Sequence, residues 1–90
     1  MNLLIVCGGQ SAEHDISLRS AMTIVPHIHN MDVCVCLIDK HGVWRFLPQL
    51  SDLQSVVEKK KDVRDYGAAQ LYRSEHGVIF SNDCRRKVID

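Results

Sequence analysis

Ninety residues, 46% hydrophobic and 24% charged, suffice for one small domain that buries roughly 60–65% of its unfolded surface. Eleven basic side chains balance eleven acidic ones, so no net field recruits nucleic acid or an anionic membrane. No apolar run approaches the ~20 residues of a membrane span. The start "MNLLIVCGG" carries no basic leader region, which leaves the cytoplasm as the expected compartment.

Leu3 to Cys7 is a continuous apolar run stopped by Gly8-Gly9, and it reads as a short strand buried on both faces. Beyond it, Ile16, Ala21, Ile24, Val25 and Ile28 fall near one stripe at spacings of threes and fours, which predicts a helix. Ser11 or Asp15 is placed to cap its start and Asn30 to end it. Asp32 to Asp39, "DVCVCLID", is a second buried strand, and strand–helix–strand predicts a right-handed βαβ unit with parallel strands. "DKHG" is a turn and "VWRFL" alternates, so residues 33–38 and 43–47 are expected to form a hairpin, with Trp44 and Phe46 on one face and Trp44 in the core.

Pro48 ends that hairpin. Ser51-x-x-Gln54 has the capping-box pattern, and Leu50, Leu53, Val56 and Val57 carry a short amphipathic helix. "EKKKDVRD", residues 58–65, reads as a solvated charged loop. "AAQLYRS" and "GVIFSN" flank Glu75-His76-Gly77 as a second hairpin, and "RRKVID" begins a further buried strand, just where the chain stops. The expected fold is α/β: a mostly parallel sheet with helices on its faces and the Trp44 strand as an antiparallel excursion.

Cys7, Cys34 and Cys36 lie within apolar runs, where a free thiol behaves as a small buried hydrophobe, and only Cys84 has polar surroundings. Cys34-x-Cys36 lacks zinc-ribbon spacing, so reduced structural cysteines and no metal are expected. His27-x-His29 points apart on a helix, and His41 in its turn reads as solvated. Arg85-Arg86 reads as a pair of charges flanking a strand.

Strand, glycine pair and helix start place backbone N–H groups and a positive dipole end at the carboxyl end of a parallel strand, where open α/β sheets bind ligands. The dinucleotide and P-loop patterns are absent, so the glycines alone say little. Glu13 stands in the opening turn. It is either a helix-capping charge or a carboxylate facing a ligand, and spacing does not choose between them. His14 beside it reads as a partly exposed helix-start residue.

"GGQSAEHDISLRSA" followed by "LIDKHGVWRFL" resembles the N-terminal domain of D-alanine–D-alanine ligases. The resemblance rests on Gly8-Gly9, Ser11, Glu13, Ile16-Ser17-Leu18 and Ser20-Ala21, then on Ile38, Asp39, Gly42 and Trp44. It covers residues 1 to about 47, fades through 48 to 82 and returns at "RRKVID". It implies a pre-ATP-grasp domain, Rossmann-like, of a ligase that joins two D-alanines into a peptidoglycan precursor. There ATP phosphorylates the first carboxylate and the second amine attacks the acyl phosphate. It further implies that Glu13 is the catalytic glutamate that binds the first D-alanine's ammonium, that Ile16 lines the same subsite, and that Gly8, Gly9 and Ser17 are structural at the site. A homodimer is implied as well.

The family's groups for ATP and Mg²⁺ have no counterpart in residues 1–90. The expectation is therefore a C-terminally shortened N-terminal domain, inactive alone, in which no bound cofactor or metal is expected. A non-catalytic α/β ligand-binding or interaction module is the alternative. Choice among D-alanine, D-lactate and D-serine as second substrate is not written in this stretch.

Overall fold

The computed structural model describes residues 2–10, 14–24, 27–28, 31–75, 77–82 and 86–89. Strands β1 (Asn2–Gly8) and β2 (Asp32–Ile38) pair in parallel from Asn2↔Asp32 to Gly8↔Ile38, and helix α1 (His14–Ile24) lies between them in sequence. Strand β3 (Trp44–Leu47) turns back antiparallel on β2, with Ile38 opposite Trp44 and Val35 opposite Leu47. Helix α2 (Leu50–Val57) and a 3-10 turn (Val63–Asp65) lead to β4 (Gln70–Ser74), β5 (Gly77–Ser81) and β6 (Arg86–Ile89). These last three form a second sheet, antiparallel throughout.

The expectation of a mostly parallel sheet is corrected. Among the described strands β1/β2 is the one parallel pair, and the other three pairs are antiparallel. Connection length is the cause. Residues 39–43 join β2 to β3, and residues 75–76 join β4 to β5. A parallel crossover needs about a dozen residues or more.

The helices share one face of the first sheet instead of flanking both. Alternation along β2 sends Val35 and Leu37 to that side, where they join Ile5, Cys7 and Leu47 against Leu18, Ala21 and Leu53. It sends Cys34 and Cys36 to the other side with Phe46, where the second sheet supplies Phe80. The Phe46 and Phe80 rings stack 4.5 Å apart at 11°. Each such ring, when fully buried, contributes about 1.5–3 kcal/mol through the area it removes from water. Asn2 Nδ2 donates to Val88 O at 2.9 Å, joining β1 to β6.

β2 is therefore buried on both faces, as its apolar run predicts. β1 is not, because it is the edge strand of its sheet and Val6 stays 52% exposed. Trp44 is a further correction: it is 39% exposed, and Phe46 on the same face does the packing.

The buried face of α1 also differs from the expected stripe. His14, Leu18 and Ala21 are buried, whereas Ile16 is 64% and Ile24 45% exposed. Positions 14, 18 and 21 repeat at helical spacing, while residue 21 lies about 140° around the helix from residue 16. The expected cap Ser11, the stripe residue Val25 and the expected end Asn30 lie outside the described residues, and the helix runs to Ile24. The start of α2 is capped two residues earlier than the Ser51–Gln54 pattern suggests, at Gln49. Gln49 N–H donates to Asp52 Oδ2 at 2.9 Å, reciprocating the backbone turn.

Candidate functional site

β1 and β2 end together at Gly8↔Ile38, so the turn that follows β1 opens at the carboxyl edge of the parallel pair. Gly8 and Gly9 have φ +92° and +124°, a region that favours glycine. A Cβ on Gly8 would collide with Ile38 O, so the close pairing with β2 itself demands glycine there.

Three hydrogen bonds fix this turn. Gly9 N–H donates to Ile38 O at 2.8 Å. Gly8 N–H donates to Ser17 Oγ at 2.9 Å. His14 Nδ1 lies 2.7 Å from Gly9 O, and since a carbonyl only accepts, Nδ1 carries the proton. Both polar side chains come from the first turn of α1. This is why His14 is buried, at 7% exposure, and not the partly exposed helix-start residue expected. Polar groups inside a protein need such partners.

The second motif closes against the first. Asp39 Oδ1 accepts from His41 N–H and Val43 N–H, both at 2.9 Å, and Oδ2 accepts from Arg45 Nε at 3.3 Å. Arg45 Nη1 reaches on to Tyr66 O at 3.0 Å. Asp39 is 4% exposed. Burial pushes its carboxyl up, but the Val43 and His41 N–H groups and the Arg45 guanidinium outweigh burial and hold it below 3.8. Gly42, at φ +83°, is pressed against the Gln10 side chain: a Cβ there would lie 2.9 Å from Gln10 Cδ. The Asp39–Val43 turn thus packs beside the turn that carries Gly8 and Gly9.

Two cavities open at this edge, of about 320 and 250 Å³, and His14 lines both. The charged run 58–65 borders both through Asp62 and Val63, and the larger one through Lys59 as well. That run is largely solvated, as expected, with Lys60 paired to Glu58 at 3.2 Å and Arg64 to Asp62 at 2.8 Å. Val63 departs from the expectation by packing on the core.

Of the residues singled out from the sequence, Gly8, Gly9 and Ser17 come together in one hydrogen-bonded turn. Ile16, on the same first turn of α1 as Ser17, is exposed. Glu13, with Ser11, lies outside the described residues, as do His29, Cys84 and Arg85. His41 is exposed, as expected. Asp39 and His14 are the residues whose structural weight the sequence reading missed. The signal for His14 was its helical spacing to Leu18 and Ala21, obscured because a polar residue was not counted as core.

Cys7, Cys34 and Cys36 are free and buried. Burial pushes the Cys7 thiol up to about 11 and Cys36 to about 12, and it raises Cys34 against the partial pull of Lys87. Among the described residues no group of three His, Cys, Asp or Glu side chains is arranged to hold a metal ion. None of their helices is long and apolar enough to cross a membrane.

Residues 2–88 match the sequence profile described as D-ala D-ala ligase N-terminus. The chain is 41% identical over 92 aligned positions to the D-alanine–D-alanine ligase of Heliobacterium modesticaldum, covering 97% of this chain and 24% of that protein. It is 38% identical over 72 residues to the bifunctional enzyme MurC/Ddl of Chlamydia trachomatis, covering 78% of this chain and 9% of that one. Among solved structures, the D-alanine–D-alanine ligase from Coxiella burnetii superposes with TM-score 0.76 at 24% identity, covering 100% of this chain and 26% of its own. The VanG D-Ala:D-Ser ligase from Enterococcus faecalis gives TM-score 0.76 at 19% identity, over 99% and 26%. At these identities the structural likeness speaks for the fold. The chain spans about a quarter or less of the length of the curated relatives it matches.

Proposed function

The chain belongs to the family of D-alanine–D-alanine ligase N-terminal domains, and from that premise we propose that it is the substrate-side domain of an ATP-dependent ligase joining two D-alanines for peptidoglycan synthesis. On this reading Glu13 holds the ammonium of the first D-alanine, Ile16 lines the same subsite, and Gly8, Gly9 and Ser17 hold the frame on which both stand. The exposed position of Ile16 on the first turn of α1 supports this, because an apolar side chain left to solvent there is available to a substrate methyl group. Residues 1–90 are read as the N-terminal domain of a longer protein acting as a homodimer in the cytoplasm.

When bound, ATP with Mg²⁺ supplies the phosphoryl group that activates the first carboxylate. We assign that activation to the remainder of such a ligase, since this chain spans about a quarter or less of the length of the relatives it matches. What this domain does is bind and orient. On this reading Glu13 keeps an amino acid in one pose while its carboxyl group reacts, and the three hydrogen bonds that hold Gly8 and Gly9 at the carboxyl edge of the parallel pair support it.

The observation that carries the reading is the clasped Gly8–Gly9 turn at the β1/β2 edge. The test is Glu13→Gln in the full-length ligase that carries this segment. Losing the charged partner is expected to lower kcat/KM for D-alanine about ten- to a hundredfold with a nearly unchanged melting temperature. Unchanged kinetics with a lowered melting temperature would return Glu13 to a capping role.

A further inference from the structure

We propose that the cavity at the seam of α1 and α2 binds a phosphate dianion through Arg19, Lys40 and Lys59. The proposal stands apart from the ligase reading and uses no residue of the Gly8–Gly9 turn.

This cavity, of about 210 Å³, is bounded by α1, the Asp39–Val43 turn and the end of α2. Leu18 and Val56, both packed in the helix-side core, give it an apolar wall. Three cations line it, each brought by a different element: Arg19 from α1, Lys40 from the turn and Lys59 from just beyond the α2 C-cap. Asp15 is the one carboxylate among the lining residues, so a surplus of two positive charges is left. A phosphate group carries about −1.5 to −2 at pH 7, which matches that surplus better than the single charge of a carboxylate.

The surplus is not consumed inside the fold. Among the described residues the ion pairs are Arg45–Asp39, Lys60–Glu58 and Arg64–Asp62, and none involves these three cations. Asp15 and Arg19 stand four residues apart on one helix, the spacing at which such pairs form, yet they make none. The 320 and 250 Å³ cavities differ, because their Lys60 and Arg64 are tied to neighbouring carboxylates.

Lys59 gives a second, independent sign. Its φ is +61°, and among the described residues it is the one non-glycine in the left-handed region. Lys59 N–H donates to Val56 O at 3.1 Å and Lys60 N–H to Ser55 O at 2.8 Å, a helix ending that usually takes glycine. Lysine there carries a conformational cost that glycine does not. A cation serving only the helix dipole could stand in the last turn of α2 without strain, and no basic residue is there. Residue 59 instead lines the cavity that Arg19 and Lys40 share.

Acetylation by an activated acetate ester, mapped by peptide mass, reads Lys40 and Lys59 individually in the full-length protein that carries this segment. Glycerol phosphate at about ten times its dissociation constant should slow both about tenfold. Lys87 on β6 should keep its rate. Inorganic phosphate run alongside identifies the source. Protection at least as strong assigns free phosphate, and weaker protection assigns an organic phosphate whose stem lies on Leu18 and Val56.

Lys59→Gly should need roughly three- to tenfold more ligand for the same protection of Lys40. It should also melt at or above the parent temperature, because glycine suits the left-handed position. That pairing separates a lost ligand contact from a damaged fold. Lys40→Gln, read at Lys59, should show the same weakening. Protection of Lys40 in Lys59→Gly equal to that in the parent would overturn the proposal. So would equal protection by acetate, or by chloride at matched ionic strength, which would reduce the effect to screening.

Discussion

Ser17 Oγ accepts the Gly8 N–H at 2.9 Å, so the first turn of α1 reaches back nine residues and caps the end of β1. That N–H belongs to a residue whose φ of +92° turns it off the strand, and the hydroxyl takes the place of a ladder partner. The serine that the family resemblance marks as structural is thus the joint between strand and helix.

Ser17→Ala leaves the Gly8 N–H without its acceptor in a half-buried place. We expect a loss of about 1–2 kcal/mol, which for a domain of this size lowers the melting temperature by roughly 4–16 °C. Thermal unfolding followed by circular dichroism measures it. A shift under about 2 °C would mean that water replaces the hydroxyl at little cost.

The two glycines should respond unequally. Gly8→Ala places a Cβ against the backbone of Ile38 and forces a left-handed conformation on alanine, so the β1/β2 pairing must open. We expect more than about 3 kcal/mol of destabilisation, or no folded protein. Gly9→Ala meets open space among the described residues and carries only the conformational strain, about 1–2 kcal/mol. Urea midpoints of the two variants decide the order, and a reversed order would contradict the close approach at Gly8.

The Asp39 hub predicts an acid dependence. Its carboxyl is held below 3.8 when folded, so its contribution is present in full above that value and is lost as the pH falls through the folded value. Asp39→Asn removes the charge facing Arg45 and should cost about 1.5–3 kcal/mol at neutral pH. The gap between parent and variant should narrow steadily below about pH 4. Urea unfolding at a series of pH values tests this, and a gap independent of pH would assign the cost to shape.

The buried thiols should be inert. With Cys7 pushed up to about 11 and Cys36 to about 12, only about one in a thousand or fewer is ionised at pH 8, and burial blocks access as well. Iodoacetamide at pH 8 is expected to label Cys7, Cys34 and Cys36 only after denaturation, as read by peptide mass mapping. Labelling of Cys36 under native conditions as fast as in denaturant would show that the joint between the two sheets opens.

Alternating or continuous apolar runs identified every described strand, and the Leu50–Val57 pattern identified α2, because periodicity reports the element directly. The motif around Gly8-Gly9 and Glu13, with Asp39, Gly42 and Trp44, also named the family, since close backbone approach at Gly8 and a left-handed turn at Gly42 tolerate few residue types. Side-chain partners were beyond the sequence. His14 and Ser17 face inward because each finds a backbone partner on β1 or just after it, and such a partner is visible only once strand and helix are docked. Ile16 and Ile24 are left outside for the same reason: the helix rotates to satisfy its polar contacts together with Leu18 and Ala21. Short connections set the antiparallel pairs, and the second sheet, placed over Cys34, Cys36 and Phe46, decided which face received no helix. Sequence determined the elements and the family, and docking decided which polar groups are core, because a hydrogen bond made inside the fold offsets the cost of burying them.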